Sequence, residues 1–132
     1  MLAAGFDRVI GVDTNTEAIA DAQFNAALNN LGNTEFVSED ALKFLGKLPG
    51  SKMAVQLSAL VVDPPRPGLH PKALAGVIEL NPPQLAYVSC NPESLARDLK
   101  ALAPLYHIRS VQPVDLFPHT AHVETVCLME HR

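Results

Sequence analysis

Residues 85–92 read Leu-Ala-Tyr-Val-Ser-Cys-Asn-Pro, an apolar run followed directly by residues that begin helices. Asn91 is a favoured N-cap residue, and Pro92 suits the first helical position because an N–H there would have no intrahelical partner. The stretch therefore predicts a strand over 85–89 that passes at once into a helix over 92–102.

The same succession of strand and helix continues on both sides of this junction. Alternating β and α segments favour an α/β fold with a mostly parallel sheet covered by helices. A chain of 132 residues buries one core, so we expect a single domain over residues 1–132. The predicted strands are 8–13, 34–38, 59–63, 85–89, 108–114 and 125–129, and the predicted helices are 16–31, 41–48, 71–79 and 92–102.

Composition narrows the class of protein. No run approaches the ~20 consecutive apolar residues that span a bilayer, and the first residues have the features of neither a signal peptide nor a transit peptide. We therefore expect a cytoplasmic protein. Cys90 and Cys127 are too few for a disulfide framework, so both thiols are expected to be reduced.

The first predicted strand ends in Asp13, as the second strand of a nucleotide-binding sheet does when its carboxylate holds a ribose. Such a strand normally follows another strand, a Gly-rich turn and a helix. Only residues 1–7 precede it here, and none of the seven glycines forms G-x-G. We therefore expect the first strand, the Gly-rich turn and the first helix to be lacking. Two exposed sheet edges would result, which predicts a homo-oligomer or a rearranged sheet.

Two further carboxylates follow predicted strands. Asp40 comes after strand 34–38, where it could meet an adenine, although in most proteins such a residue only faces solvent. Asp63 begins Asp-Pro-Pro-Arg at the end of a buried strand, where open α/β sheets bind ligands. A simple strand-terminating turn explains that tetrapeptide equally well.

Cys90 carries the strongest chemical signal. It stands before the predicted helix, whose positive N-terminal end favours the thiolate, the nucleophilic form of cysteine. The competing interpretation is a structural thiol, because cysteine is among the residues most often buried. Cys127 lies inside the last predicted strand and is expected to belong to the core.

Residues 117–124 read Phe-Pro-His-Thr-Ala-His-Val-Glu and contain two histidines and one carboxylate. His119 and His122 have no third ligand nearby in sequence, so no metal site is predicted, and both histidines could simply stabilise a turn. Glu124, at the entrance to an apolar strand, could act as a general base.

Taken together, these segments resemble the RNA (uracil-5-)-methyltransferases, which make 5-methyluridine in tRNA and ribosomal RNA. The resemblance spans nearly the whole chain. The motifs that carry it are Gly-Val-Asp at 11–13, Asp-Pro-Pro-Arg at 63–66, Tyr-Val-Ser-Cys-Asn-Pro at 87–92 with Leu-Ala-Arg-Asp at 95–98, and the 117–124 stretch, in which the family has Phe-Pro-His-Thr and His-Val-Glu.

The resemblance implies a Rossmann-like class I methyltransferase fold, S-adenosylmethionine as cofactor and RNA as substrate. It assigns the nucleophile to Cys90, the proton-abstracting base to Glu124, and cofactor contacts to Asp13, Asp40 and Asp63. Family members usually carry Glu in place of Asp13. They also have an upstream region with the Gly-rich turn and often an RNA-binding β-barrel domain.

The net charge of −4 gives this chain no long-range attraction to phosphate, so most contacts to an RNA backbone are expected from another domain or a partner. Two other functions remain open at this stage. An amino-nitrogen methyltransferase also uses Asp-Pro-Pro at a strand end and needs no cysteine. A non-catalytic remnant that acts as an interaction module would explain the lack of a Gly-rich turn.

Overall fold

The computed structural model describes residues 5–51, 53, 57–116, 118–120 and 122–132. Within these ranges the predicted strands and helices are all confirmed, and no end differs by more than three residues. The elements are β1 (Val9–Asp13), α1 (Thr16–Leu28), β2 (Thr34–Ser38), α2 (Ala41–Lys47), β3 (Ala59–Val62), α3 (Pro71–Leu80), β4 (Gln84–Ser89), α4 (Pro92–Leu102), β5 (Tyr106–Val114) and β6 (Glu124–His131).

The chain forms two compact units; the first ends at Lys47 and the second begins at Leu48. In the first unit β1 and β2 are parallel and α1 packs against both strands. Helix α1 ends at Leu28, three residues before the predicted end. Asn30 has a φ of 54°, and this left-handed conformation, which asparagine tolerates, stops the helix.

The second unit contains a four-stranded sheet in the order β3-β4-β6-β5. Strand β3 is parallel to β4, whereas β6 is antiparallel to both of its neighbours, β4 and β5. Three strands therefore share one direction, as a mostly parallel sheet requires, and β6 is the exception. The described strands belong to two sheets rather than to the single sheet that the sequence predicted.

The core of the second unit lies on one face of this sheet. Alternate residues of β4 are buried there, and their partners on β6 are buried with them: Leu85 is paired with Met129 and Tyr87 with Cys127. Helix α4 packs against β4 and adds the fully buried Leu102. Burial of each large apolar side chain of this kind stabilises the folded state by roughly 1.5–3 kcal/mol. This burial fixes which residues of β4 and β6 face each other.

Helices α1 to α4 have between 7 and 13 residues, whereas a membrane-spanning helix needs roughly 20. None of them is long and apolar enough to cross a membrane.

Candidate active site

Cys90 occupies the junction between β4 and α4, as the sequence predicted. The residues on either side of it are firmly held: Ser89 Oγ donates to the Asn91 carbonyl at 2.9 Å and accepts from the Asn91 N–H at 3.1 Å. The Asn91 side chain caps α4 by accepting from the Glu93 N–H at 3.1 Å. Cys90 itself is half-buried and its thiol is free. A half-buried thiol before a capped helix is suitably placed for a nucleophile.

The ladder between β4 and β6 ends beside this cysteine. Its last pair is Ser89 with Thr125. Cys90 directly follows Ser89, and Glu124, the first residue of β6, directly precedes Thr125, so both residues adjoin this last pair. Opposed residues of an antiparallel pair have Cα atoms roughly 4.5–5.5 Å apart and project to the same face. Cys90 and Glu124 therefore lie at the same end of the β4–β6 ladder.

Asp63 lies at the same edge of the four-stranded sheet. It directly follows Val62, the last residue of β3, and is exposed. Val62 is paired with Tyr87 in the parallel ladder, so Asp63 is level with Val88 near the end of β4. A carboxylate, a thiol and a second carboxylate are therefore contributed by three neighbouring strands to one edge.

In the first unit, Asp13 and Asp40 lie near the carboxyl ends of β1 and β2. Asp13 is exposed, and its Oδ1 accepts from the Asn15 N–H at 2.8 Å. Asp40 Oδ1 accepts from the Lys43 N–H at 3.0 Å and thereby caps α2. Each carboxylate thus has one oxygen engaged in a local turn or cap, and ligands of α/β sheets bind at this edge of the strands.

The stretch before β6 holds the two predicted histidines. Phe117 and Ala121 of the motif lie outside the described residues. His119 is exposed with a left-handed φ of 70°, and His122 is exposed with its N–H donated to Thr120 Oγ1 at 3.2 Å. Among the residues that the structure describes, no group of three His, Cys, Asp or Glu side chains could hold a metal ion.

Cys127 is the other free thiol, and it has no access to this edge of the sheet. It is fully buried in β6, and burial raises the pKa of its thiol above the usual value. A protonated, packed thiol is a core residue, which confirms the prediction for this position.

The fold is that of a Rossmann-like class I methyltransferase. A solved ribosomal RNA methylase from Streptococcus thermophilus superposes with a TM-score of 0.70 over 98% of this chain and 76% of its own, at 11% identity, which shows the fold alone. The sequence identifies the family more specifically than the fold does. The chain belongs to the tRNA (uracil-5-)-methyltransferase family, whose sequence model matches residues 1–132.

Relatives of known sequence and structure agree with this assignment. An uncharacterized RNA methyltransferase from Chlorobaculum tepidum is 43% identical over 130 residues, which is 98% of this chain and 27% of the relative. Another uncharacterized RNA methyltransferase, from Bacillus cereus, is 48% identical over 129 residues, which is 97% of this chain and 28% of the relative. The solved structure of the Pyrococcus abyssi tRNA (uracil-54, C5)-methyltransferase, in complex with S-adenosyl-L-homocysteine, superposes with a TM-score of 0.78 at 37% identity. The match covers 96% of this chain and 29% of that structure's chain. The chain spans about a quarter of the length of the curated relatives it matches.

Proposed function

We propose that this chain provides the nucleophile and the base of an enzyme that methylates carbon 5 of a uridine in RNA. The observation that supports this most directly is the β4–β6 ladder, whose last pair, Ser89 with Thr125, adjoins both Cys90 and Glu124. The reaction needs a thiolate and a base at one uracil ring, and these two residues are contributed by neighbouring strands at the same end of their ladder.

Cys90 acts first in the proposed reaction. Carbon 5 of uracil is a weak nucleophile, so a thiolate must add to carbon 6 and convert the ring to an enolate. Cys90 lies directly before α4, whose N-terminus is capped by the Asn91 side chain. Carbon 5 of the enolate then takes up the methyl group and carries both that group and its original proton.

Glu124 completes the reaction. Its carboxylate removes the proton from carbon 5, and the electron pair of that C–H bond re-forms the ring double bond while the Cys90 sulfur leaves carbon 6. Because Glu124 begins β6 and is half-buried, it is held by the strand and still reachable from the sheet edge. The cysteine returns as a thiolate, and the site is regenerated once Glu124 passes its proton to water.

S-adenosylmethionine is the proposed methyl donor, and when bound it supplies an electrophilic methyl group. The carboxylates of this chain fit parts of it: Asp13 can accept from ribose hydroxyls, Asp40 from the adenine amine and Asp63 from the ammonium group. Asp13 and Asp40 each keep a second oxygen for this purpose beyond the one bonded to a backbone N–H.

The proposed substrate is a uridine in tRNA or ribosomal RNA. The Pyrococcus abyssi relative acts on uracil-54 of tRNA according to its name. With a net charge of −4, this chain is expected to obtain most of its contacts to RNA phosphates from other parts of the enzyme or a partner. Two free cysteines and an RNA substrate also support a cytoplasmic location. Self-association stays a prediction.

A chimera tests the proposal, because the chain corresponds to about a quarter of its relatives. The chain replaces the matching segment of the Chlorobaculum tepidum relative, and transfer of labelled methyl groups to tRNA and ribosomal RNA transcripts is measured. We expect Cys90→Ala to abolish transfer and the matched Cys127→Ala to retain it. Full activity of Cys90→Ala would eliminate the thiol mechanism and favour methylation of an amino nitrogen.

The base is tested separately in the same chimera. Glu124→Gln should lower turnover by about 10²–10⁴-fold, the usual contribution of a general base, while still forming the covalent adduct with RNA. Glu130→Gln, on the same face of β6, is the matched control. RNA that contains 5-fluorouridine should remain attached to the unmutated chimera during denaturing electrophoresis, because fluorine cannot leave as a proton. Rapid release of that RNA would contradict the role of Glu124.

A further inference from the structure

Asp98 is a buried charge on α4 to which the proposed reaction gives no role. Asp98 is only 1% exposed, yet its carboxylate accepts hydrogen bonds from four donors. Oδ2 accepts from the Leu69 N–H at 2.8 Å and from the Tyr87 hydroxyl at 2.6 Å. Oδ1 accepts from Arg97 Nε at 2.9 Å and Nη2 at 2.8 Å. An ionised carboxylate is the one side chain that can accept all four bonds.

These donors come from three different parts of the second unit. Tyr87 belongs to β4 and lies three residues before Cys90; Arg97 lies on α4; Leu69 ends the segment that follows Asp63 and its two prolines. Asp98 therefore links the strand before the nucleophile, the helix after it and residues 66–69, which we call the 66–69 segment.

The 66–69 segment is attached to the Cys90 junction at further points. Asn91 Nδ2, one residue after the cysteine, donates to the Arg66 carbonyl at 3.1 Å, and Arg97 Nη2 donates to the Pro67 carbonyl at 2.7 Å. Gly68 approaches the network so closely that a Cβ there would lie 2.7 Å from Asp98 Oδ2. Every residue from 66 to 69 thus touches either α4 or its cap.

We propose that Asp98 is a positioning residue: its carboxylate holds the 66–69 segment against the β4–α4 junction and so fixes the orientation and the accessibility of the Cys90 thiol. This inference rests on the proposed function of Cys90 as a nucleophile. An incoming uracil ring must meet a thiol in one orientation, and Asp63 at the start of the same loop must keep its place at the sheet edge.

Asp98→Asn is the sharpest perturbation, because the shape of the side chain is kept while half of its acceptor capacity is lost. The new NH₂ group would face N–H or O–H donors where an oxygen stood. Arg97→Met is the milder variant: the Arg97 side chain is 59% exposed, so its loss releases Pro67 with less risk to folding. Tyr106→Phe is the control, since it removes another buried hydroxyl, bonded to the Pro82 carbonyl at 3.0 Å, away from the segment.

The test measures the alkylation of Cys90 by iodoacetamide in the folded 132-residue chain, with both cysteine peptides quantified by mass spectrometry. Buried Cys127 reports unfolding in the same sample. We expect Cys90 to react several-fold faster in Asp98→Asn and Arg97→Met, at unchanged Cys127 reactivity, because the released segment uncovers a half-buried thiol. Tyr106→Phe should leave the Cys90 rate unchanged.

A purely structural role for Asp98 would lower stability without changing Cys90 in the folded chain. Unaltered Cys90 alkylation in both variants would therefore overturn the positioning role, and if Asp98→Asn does not fold, Arg97→Met decides alone. Alkylation needs neither RNA nor a methyl donor. An inactive chimera would thus refute the proposed function and leave this result standing, whereas an active chimera with unaltered alkylation in the variants would refute the positioning role alone.

Discussion

Replacing Gly68 with alanine should destabilise the second unit more than the same change at another glycine with positive φ. Gly68 has a φ of 86°, and a Cβ there would lie 2.7 Å from Asp98 Oδ2 and 3.1 Å from Ser94 Cβ. Gly50 has a φ of 74°, but a Cβ there would meet nothing within 4 Å. Alanine would therefore be strained by the positive φ at both positions, whereas only at Gly68 would its Cβ also meet neighbouring atoms.

The expected magnitudes follow from these two terms. Placing alanine at a positive φ costs roughly 1–2 kcal/mol, and this is the whole effect expected for Gly50→Ala. At Gly68 the added carbon must also displace a carboxylate that accepts four hydrogen bonds, each worth about 1.5–3 kcal/mol when one partner is charged. Weakening one of them brings the total for Gly68→Ala to about 2.5–5 kcal/mol, a large part of the roughly 5–15 kcal/mol that stabilises a typical domain.

Urea unfolding followed by far-ultraviolet circular dichroism measures both variants against the unmutated chain. Gly50 and Gly68 belong to the same compact unit, so the two free energies of unfolding are directly comparable. We expect Gly68→Ala to lose at least about 1.5 kcal/mol more than Gly50→Ala. Equal losses would show that the backbone at Gly68 is not held against Asp98, and the close approach would then be refuted.

Two further predictions concern the core of the second unit. Leu102→Ala, at a fully buried position of α4, should lower the free energy of unfolding by about 2–5 kcal/mol in urea titrations. Burial raises the pKa of Tyr106 from 10.0 to about 12, so the unfolded chain ionises first and stability is lost between pH 10 and pH 12. The loss should be about 1.4 kcal/mol per pH unit at most, and Tyr106→Phe should reduce it between pH 10 and pH 12; an equal loss in that variant would assign it to other groups.

Local sequence signals predicted the helices and strands because the residues that begin and end them act locally. Asn91 and Pro92 fix the start of α4, and the helix was predicted with the bounds that the structure has. The end of α1 was missed for an equally local reason. The apolar pattern continues to Leu31, whereas the left-handed conformation of Asn30 stops the helix, and asparagine adopts that conformation only in some contexts.

The role of Asp98 could not be predicted in the same way. Sequence placed it in a recognisable Leu-Ala-Arg-Asp stretch, but an aspartate on a helix is usually solvated. Its burial depends on the Tyr87 hydroxyl and on the Leu69 N–H, which is 29 residues away along the chain. Contacts over such distances arise from the packing of β4, α4 and the 66–69 segment, and no local pattern encodes them.

The placement of Cys90 and Glu124 at one end of the β4–β6 ladder depends on the direction of β6. In a purely parallel sheet the first residue of a strand lies at the edge opposite to the ends of its neighbours, so a base at that position would be remote from Cys90. Because β6 is antiparallel to β4, its first residue meets the last residues of β4 instead. A slip of one residue would turn Glu124 to the other face. The buried pairs of Leu85 with Met129 and Tyr87 with Cys127 oppose that slip, so the hydrophobic core fixes the register on which the proposed chemistry depends.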